Sequence, residues 1–274
     1  MGGVVVPLKR TSYKLESLAH CVLRVSLGYR RAVAEGTAKR AARGGGGKNR
    51  KPPASSGASL RLPAGRHGLP REFIEQNQRE RIITALVDTV AERGYNATTV
   101  AHITKAASVS RRTFYEHFAD KEACFLAAYD MVTDHIRASM RAAAESFAEW
   151  PQQVRAALAT MLRFLASEPE LARLCMVEPV AAGGEIAARH RASMQGFVGI
   201  LKAGRPQHSG ERPLPEATEE TLVGGIVSLI VREISADRTA ELEKLLPDLV
   251  ELILAPYLGI EEAERLARDG AAAD

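Results

Sequence analysis

The sequence predicts an all-α protein, and three observations lead to that prediction. Aromatic residues make up only 5% of the 274 residues, whereas alanine and leucine are abundant. Strands are richer in β-branched and aromatic residues than this chain is. From residue 69 onward, apolar residues recur at the three- and four-residue intervals of amphipathic helices. Glycine and proline cluster between these periodic segments, as expected of interhelical loops.

The charge of the chain is distributed unevenly. Residues 1–70 contain 14 Lys and Arg against 2 Asp and Glu, a net of +12, and the remaining 204 residues contain 23 against 31, a net of −8. The sum is the overall +4. The positive net charge therefore belongs to the leader, and it does not indicate that the whole protein coats nucleic acid.

The leader, residues 1–68, has the glycine, proline, serine and basic residues typical of a linker, and we predict that it is mostly disordered. Three interpretations remain open. It is a basic arm that follows DNA phosphates, a helix for a membrane surface or for targeting, or translated upstream sequence that does not belong to the natural protein.

Several function classes lack their sequence signals. The three cysteines, Cys21, Cys124 and Cys175, have no CxxC spacing, which argues against a disulfide framework or a zinc site and favours the bacterial cytoplasm. No run of about 18 apolar residues predicts a membrane span. There is no glycine-rich phosphate loop, HExxH or GxSxG motif, so we expect neither an enzyme nor a bound cofactor or metal.

The first predicted helix runs from about Arg71 to Arg93. Its apolar residues Ile82, Leu86 and Val90 lie four apart, and Gly94 follows it at the position that favours a left-handed backbone. The spacing therefore predicts an amphipathic helix that buries one face against its neighbours.

Residues 98–121, TTVAHITKAASVSRRTFYEHFADK, predict two short helices joined by a tight turn. Thr98 or Thr99 can cap the first helix and Ser110 the second. Phe114 and Phe118 lie one turn apart and are expected to face inward. The outer face then carries two adjacent arginines at a helix start, where the helix dipole disfavours cations unless an anion is expected. A braced helix with this outer face is the helix-turn-helix solution for entering the DNA major groove. The alternative is an ordinary helical hairpin with a solvated polar face, and the two adjacent arginines argue against it.

These segments resemble the DNA-binding domain of the tetracycline-repressor-type (TetR) family of transcriptional regulators. The matching patterns are TTV in the second helix, VS-x-x-TFY-x-HF through the third, DKEACF opening the fourth, and ERGY after the first. The likeness covers about residues 72–129 without a gap. One departure is Ser108, which stands where the family usually has glycine. A left-handed backbone there costs about 1 kcal/mol.

The predicted DNA contacts combine the residue pattern with this resemblance. Arg111 and Arg112 are suited to bidentate contacts with guanine, and Thr99 is a candidate phosphate anchor. The resemblance implies further contacts, namely Thr113, Tyr115, His117 and Lys121. Glu116 is ambiguous, and we expect it to point past the groove.

The resemblance divides the chain into a helix-turn-helix domain at residues 69–119, a helical effector-binding and dimerisation domain at 120–262, and a tail at 263–274. A fourth helix capped by Asp120 is predicted to run towards Phe147. Further helical patterns cover residues 152–167, 169–177, 185–203, 216–235 and 239–258. Pro247 is expected either to start the main part of the last helix or to kink it.

A dimer face and a ligand pocket are expected in this second domain. Two apolar stripes could form a four-helix interface around a twofold axis, or pack within one monomer. The dimer candidates are Leu222, Gly225, Ile226, Leu229, Leu246, Leu249 and Ile253. The pocket candidates, which could equally be ordinary core, are Trp150, Met161, Phe164, Met176, Met194 and Phe197, with Arg189 or His190 as a polar group.

The sequence thus favours a homodimeric transcriptional regulator, most simply a repressor of a palindromic operator that a small effector releases. Its expected partners are double-stranded DNA, an unknown effector and a second copy of the chain, with no membrane. The alternative is a helical ligand-binding or dimerisation module whose hairpin no longer recognises specific DNA.

Overall fold

The protein was analysed as a computed structural model that describes residues 71–208, 210 and 212–269. Within these residues the chain forms eleven α-helices and two short 3₁₀ segments, and no strand. The predicted all-α class is therefore confirmed. The interpretations of the leader concern residues outside the described part of the chain.

Three helices form the amino-terminal bundle: α1 (Arg71–Arg93), α2 (Val100–Ala107) and α3 (Arg111–His117). Gly94 follows α1 with φ of 75°, as predicted for a glycine that ends a helix. The predicted caps are present, since the Thr99 Oγ1 accepts the N–H of His102 and the Ser110 Oγ accepts the N–H of Thr113. The bundle buries its predicted apolar residues, namely Ile82, Leu86, Val90, Ile103, Phe114 and Phe118.

The turn between α2 and α3 uses a left-handed residue that is not glycine. Ser108 has φ 52° and ψ 47°. This confirms the left-handed backbone expected from the sequence, which costs about 1 kcal/mol for a residue with a Cβ. The Arg81 guanidinium of α1 donates to the carbonyl oxygens of Ala107 and Ser108. The first helix therefore holds the turn by its backbone carbonyls, which any residue at position 108 would supply.

The body is built from α4 (Lys121–Ala144), α5 (Trp150–Ser167), α6 (Pro169–Met176), α7 (Glu178–Ala182) and α8 (Gly184–Lys202). It continues with α9 (Thr218–Ser235), α10 (Leu246–Leu258) and α11 (Ile260–Asp269). Asp120 caps α4 by accepting the N–H of Ala123 at 2.7 Å, as predicted. Pro247 lies in the first turn of α10, after the 3₁₀ segment Thr239–Leu245, so it starts that helix.

Two parts of the body differ from the sequence prediction. Residues 263–269, expected to belong to a tail, continue α11, and Ala263 and Ala267 are buried. The short helix α7 was not predicted, because five residues are too few to show a period. It carries the buried acid Glu178, which matters for the connection described below.

Candidate nucleic-acid interface and ligand cavity

Helix α3 presents a polar face to solvent. Phe114 is fully buried beneath it, whereas Tyr115 is 56% exposed. Arg111 and Glu116 are exposed, and the side chain of Arg112 is 89% exposed. The two arginines, Tyr115 and Glu116 therefore face outward as predicted, because the two phenylalanines fix the rotation of the helix, whereas Thr113 and His117 are half-buried.

The two arginines of this face are in different environments. The Nε of Arg112 donates to Glu116 at 3.0 Å, an exposed pair one helical turn apart. Among the described residues, no acid pairs with the guanidinium of Arg111. Exposed pairs of this kind contribute little to stability. Glu116 can therefore hold Arg112 along the helix until a stronger acceptor competes for it.

The remaining contact candidates lie at the ends of α2 and α3. Thr99 is exposed, and Thr113 is half-buried, with its hydroxyl 2.9 Å from that of Ser110. The Nε2 of His117 lies 3.4 Å from the side-chain oxygen of Gln78 in α1. His117 is therefore restrained towards α1, whereas no hydrogen bond to another described residue restrains the Arg111 side chain.

Lys121 has an additional structural role that the sequence did not predict. Its ammonium donates to the carbonyl oxygens of Tyr95 and Thr98, at 2.8 and 2.9 Å, and lies 3.9 Å from the centre of the Tyr95 ring. Partial burial lowers the pKa of Lys121. Since an ammonium has three N–H donors, one remains for a phosphate.

The body contains a cavity of about 100 Å³ between α4, α5, α6, α8, α9 and α10. By comparison, an engineered apolar cavity of about 150 Å³ holds benzene. The lining is almost entirely apolar, and this composition is typical of sites for small organic ligands. Four of the predicted pocket residues line it, namely Met161, Met176, Met194 and Phe197.

The other four pocket candidates have different environments. The Trp150 ring packs edge-on against Tyr257, and Phe164 packs beside His135. Arg189 pairs with Asp130 at 3.0 Å on the surface. His190 is buried behind the cavity wall, with Nδ1 3.2 Å from the Tyr129 hydroxyl. Helical spacing identifies an inward-facing residue but cannot distinguish cavity lining from solid core.

The polar groups that do line the cavity were missed. They are Tyr129, Thr133 and Arg137 of α4 and Ser193 of α8. The Arg137 Nη2 donates to the Ser193 hydroxyl at 2.8 Å, and burial raises the pKa of Tyr129 to about 12. One sequence signal was available, since Tyr129, Thr133 and Arg137 lie four residues apart and share one stripe of a helix.

A buried hydrogen bond connects the body to the amino-terminal bundle. Glu178, only 4% exposed, accepts the backbone N–H of Tyr95 at 2.7 Å, and its other oxygen lies 3.5 Å from the Nε of Arg173. Nearby, the side-chain amide of Asn96 donates to the Ala181 carbonyl at 3.1 Å. Cys175 and Met176, at the end of α6, line the cavity. The cavity wall and the exit of α1 are thus separated by a short, well-packed segment.

The residues predicted to form a dimer face fall into two groups, one buried within the chain and one at least partly exposed. Leu249 and Ile253 are buried within the chain, at 1% and 3% exposure, and Ile253 lines the cavity. Both are therefore core residues rather than part of an outer face, because α10 turns that side inward. Ile226 also lines the cavity. Leu222, Gly225, Leu229 and Leu246 remain at least partly exposed.

Helix α10 instead exposes Leu252, at 53%, and α9 exposes Gly224, Gly225 and Ser228. A Cβ built on Gly225 would meet nothing within 4 Å. Helix α9 thus exposes small residues, and α10 exposes a large apolar side chain.

Within the described residues, no helix has the length and hydrophobicity needed to cross a membrane.

Comparison with known proteins relates the amino-terminal bundle to one family. Residues 82–128 match the bacterial regulatory proteins of the tetR family. That range contains most of α1, all of α2 and α3, and the start of α4.

Solved structures with a similar fold extend the likeness into the body. The fatty acid degradation regulator FadR from Bacillus halodurans is 20% identical, with a TM-score of 0.58 over 65% of this chain and 94% of that one. FadR from Bacillus subtilis, in complex with stearoyl-CoA, is 22% identical, with a TM-score of 0.57 over 66% and 98%. AibR, in complex with isovaleryl coenzyme A and operator DNA, is 19% identical, with a TM-score of 0.53 over 66% and 100%.

Proposed function

We propose that this chain is a transcriptional regulator of the TetR family that binds a palindromic operator as a homodimer and releases it when an apolar effector enters the cavity of the body. The observation that carries the proposal is the geometry of α3. Phe114 is buried, while Arg111, Arg112 and Tyr115 on the opposite side are exposed. In this proposal Arg111 and Arg112 read base edges in the major groove, and Thr99 and Lys121 bind phosphates.

The effector is inferred from the cavity. An apolar lining with one polar wall suits a small molecule with an aliphatic portion and a polar end. The bound stearoyl-CoA and isovaleryl coenzyme A of the two similar structures support an acyl compound as the chemical class. A cavity of about 100 Å³ accommodates a short chain, or the end of a longer one.

The route from the cavity to DNA is inferred from the segment that joins them. Met176 lines the cavity, and Glu178, two residues later, binds the backbone of Tyr95 at the exit of α1. A ligand that displaces the end of α6 would move this attachment and, with it, α3, the proposed reading helix. Release requires that the effector bind the non-binding conformation more tightly than the DNA-bound one.

The homodimer is inferred from α9 and α10. Exposed Leu252 and the open surface at Gly225 suit close approach of the same two helices from a second copy. A twofold dimer would carry two reading helices to half-sites about one helical turn apart, or slightly more.

Fluorescence anisotropy tests the proposal with the full-length chain and the duplex that lies upstream of its own coding region. We expect that duplex to bind at least about 1,000-fold more tightly than a random duplex at moderate salt, the lower end of the usual range of specificity ratios. Octanoyl-CoA should then lower the affinity for the operator. Equal binding to both duplexes would refute operator reading, and unchanged operator affinity with saturating octanoyl-CoA would refute acyl-CoA as the effector.

A further inference from the structure

One wall of the cavity, where α4 faces α8, is a connected set of polar side chains. Arg137 donates to the Ser193 hydroxyl at 2.8 Å, and Ser193 lies beside the Tyr129 phenol. The Tyr129 hydroxyl is in turn 3.2 Å from the Nδ1 of His190. Tyr129, Ser193 and His190 are all buried, so this set of hydrogen bonds is largely shielded from water.

The protonation states of Tyr129 and His190 determine which groups of this wall can donate a hydrogen bond at neutral pH. Burial raises the pKa of Tyr129 to about 12, so the phenol keeps its proton. Burial, with a smaller effect from Arg191, lowers the pKa of His190, so its imidazole is neutral. When Tyr129 donates to His190, the phenol oxygen is left as an acceptor and the remaining donors converge from Arg137 and Ser193.

Arg137 is the charged member of the wall. Of the residues that line the cavity in the described part of the chain, it alone carries a charge. Its side chain is 45% exposed, so the guanidinium lies between the cavity and solvent. Its Nη1 is 3.4 Å from the well-exposed Asp134, a long contact that a better-placed anion can replace. Five N–H donors on a planar group suit a carboxylate or a phosphate oxygen.

We propose that Arg137 selects effectors by an anionic head, with Ser193 as a second donor and the apolar chain inside the cavity. This inference deepens the proposed function and rests on it. The shared chemistry is an acyl chain that ends in a negatively charged head. A free fatty acid supplies the charge as its carboxylate, and an acyl-CoA ester supplies it as phosphates further from the chain. A neutral alcohol of the same length supplies only the chain.

Isothermal titration calorimetry of the full-length chain with octanoate, octanoyl-CoA and 1-octanol tests this selection. We expect at least one of the two anions to bind the wild type about tenfold or more tightly than 1-octanol does, because only an anion can form a charge-assisted hydrogen bond with Arg137. Binding by octanoate alone would identify the free acid, and binding by octanoyl-CoA alone the ester.

Arg137→Met removes the charge while keeping a long side chain, and should bring the anions and 1-octanol to within about threefold of each other. Arg141→Met, one turn further along α4 at an exposed position outside the cavity, should keep the wild-type preference. Ser193→Ala should weaken anion binding less than Arg137→Met does. A wild type that binds 1-octanol as tightly as both anions would overturn the proposal, and so would a preference that survives in a folded Arg137→Met protein.

Operator release, measured in the same samples, distinguishes a failure of head selection by Arg137 from a failure of the proposed function. If all three compounds bind equally and release the operator, head selection by Arg137 is refuted while the proposed function stands. If none of them binds, an effector with an aliphatic chain is refuted, and head selection with it.

Discussion

The Glu178 carboxylate accepts the backbone N–H of Tyr95 at 2.7 Å, across a separation of 83 residues. The carbonyl oxygen of the same Tyr95 accepts from the Lys121 ammonium at 2.8 Å. The backbone of Tyr95, the second residue after α1, is therefore held by the body through its N–H and by the start of α4 through its carbonyl oxygen. The proposed connection between the cavity and α3 therefore runs through backbone atoms of Tyr95, which almost any residue at position 95 would supply.

Replacing Glu178 should destabilise the protein. In Glu178→Ala the buried N–H of Tyr95 loses its acceptor, and we expect a loss of about 1–3 kcal/mol in the free energy of unfolding, measured with urea. Glu178→Gln keeps an accepting oxygen and should lose less. The exposed Glu185 provides the matched control. Equal stability of Glu178→Ala and Glu185→Ala would contradict the structural importance of the buried bond.

The left-handed turn residue predicts a stabilising substitution. Ser108→Gly removes a Cβ from a residue at φ 52°, and should raise the free energy of unfolding by about 1 kcal/mol. The Arg81 bonds to the backbone carbonyls would remain. Ser108→Ala, which keeps the Cβ, should show no such gain. A gain of equal size in both variants would show that strain at this residue is not the cause.

The two kinds of DNA contact should respond differently to mutation. Arg111→Ala should lose about 1–3 kcal/mol of discrimination between operator and random duplex, because base contacts carry the specificity. Lys121→Met should weaken both duplexes alike and reduce the salt dependence of binding. Anisotropy titrations across a range of salt concentrations measure both effects. A uniform loss across sequences in Arg111→Ala would contradict its role in reading bases.

The surface of α9 predicts a variant that blocks a dimer without damaging the monomer. A Cβ at Gly225 meets nothing within 4 Å of the same chain, so Gly225→Arg should fold normally while its side chain obstructs a second helix. Analytical ultracentrifugation should then show a monomer. Gly196→Arg on α8 is the matched control, since that glycine also faces open space. A dimer that survives Gly225→Arg would exclude this part of α9 from the interface.

The buried imidazole of His190 predicts a pH dependence of stability. Burial lowers its pKa below the ordinary value of 6.5, so at acidic pH the unfolded chain binds a proton that the folded chain excludes. This contribution to stability is complete above pH 6.5 and is lost as the pH falls towards the lowered pKa. Unfolding free energies of wild type and His190→Gln between pH 7 and 5 should diverge by up to about 1.4 kcal/mol per pH unit. Parallel curves would contradict the prediction.

The sequence alone determined the bounds of α3 and the side that it turns inward. The caps at Thr99, Ser110 and Asp120, and the inward phenylalanines, depend on residues at most four positions apart. Such local geometry follows from the helix period and from which side chains can bond a free backbone N–H. The left-handed backbone of Ser108 was expected from the resemblance, because the family usually has glycine at this position of the turn.

Only the tertiary structure decided which apolar residues of the body are buried and which are exposed. Leu249 and Leu252 lie three residues apart on α10, yet the first is buried and the second is 53% exposed. Both residues are leucine in the sequence, but the rotation of α10 against α5 and α9 decides which one a partner could touch. Likewise Arg137 and Ser193 meet across 56 residues, and Glu178 reaches Tyr95 across 83. Contacts of this range depend on how whole helices pack, and no local spacing in the chain records that packing.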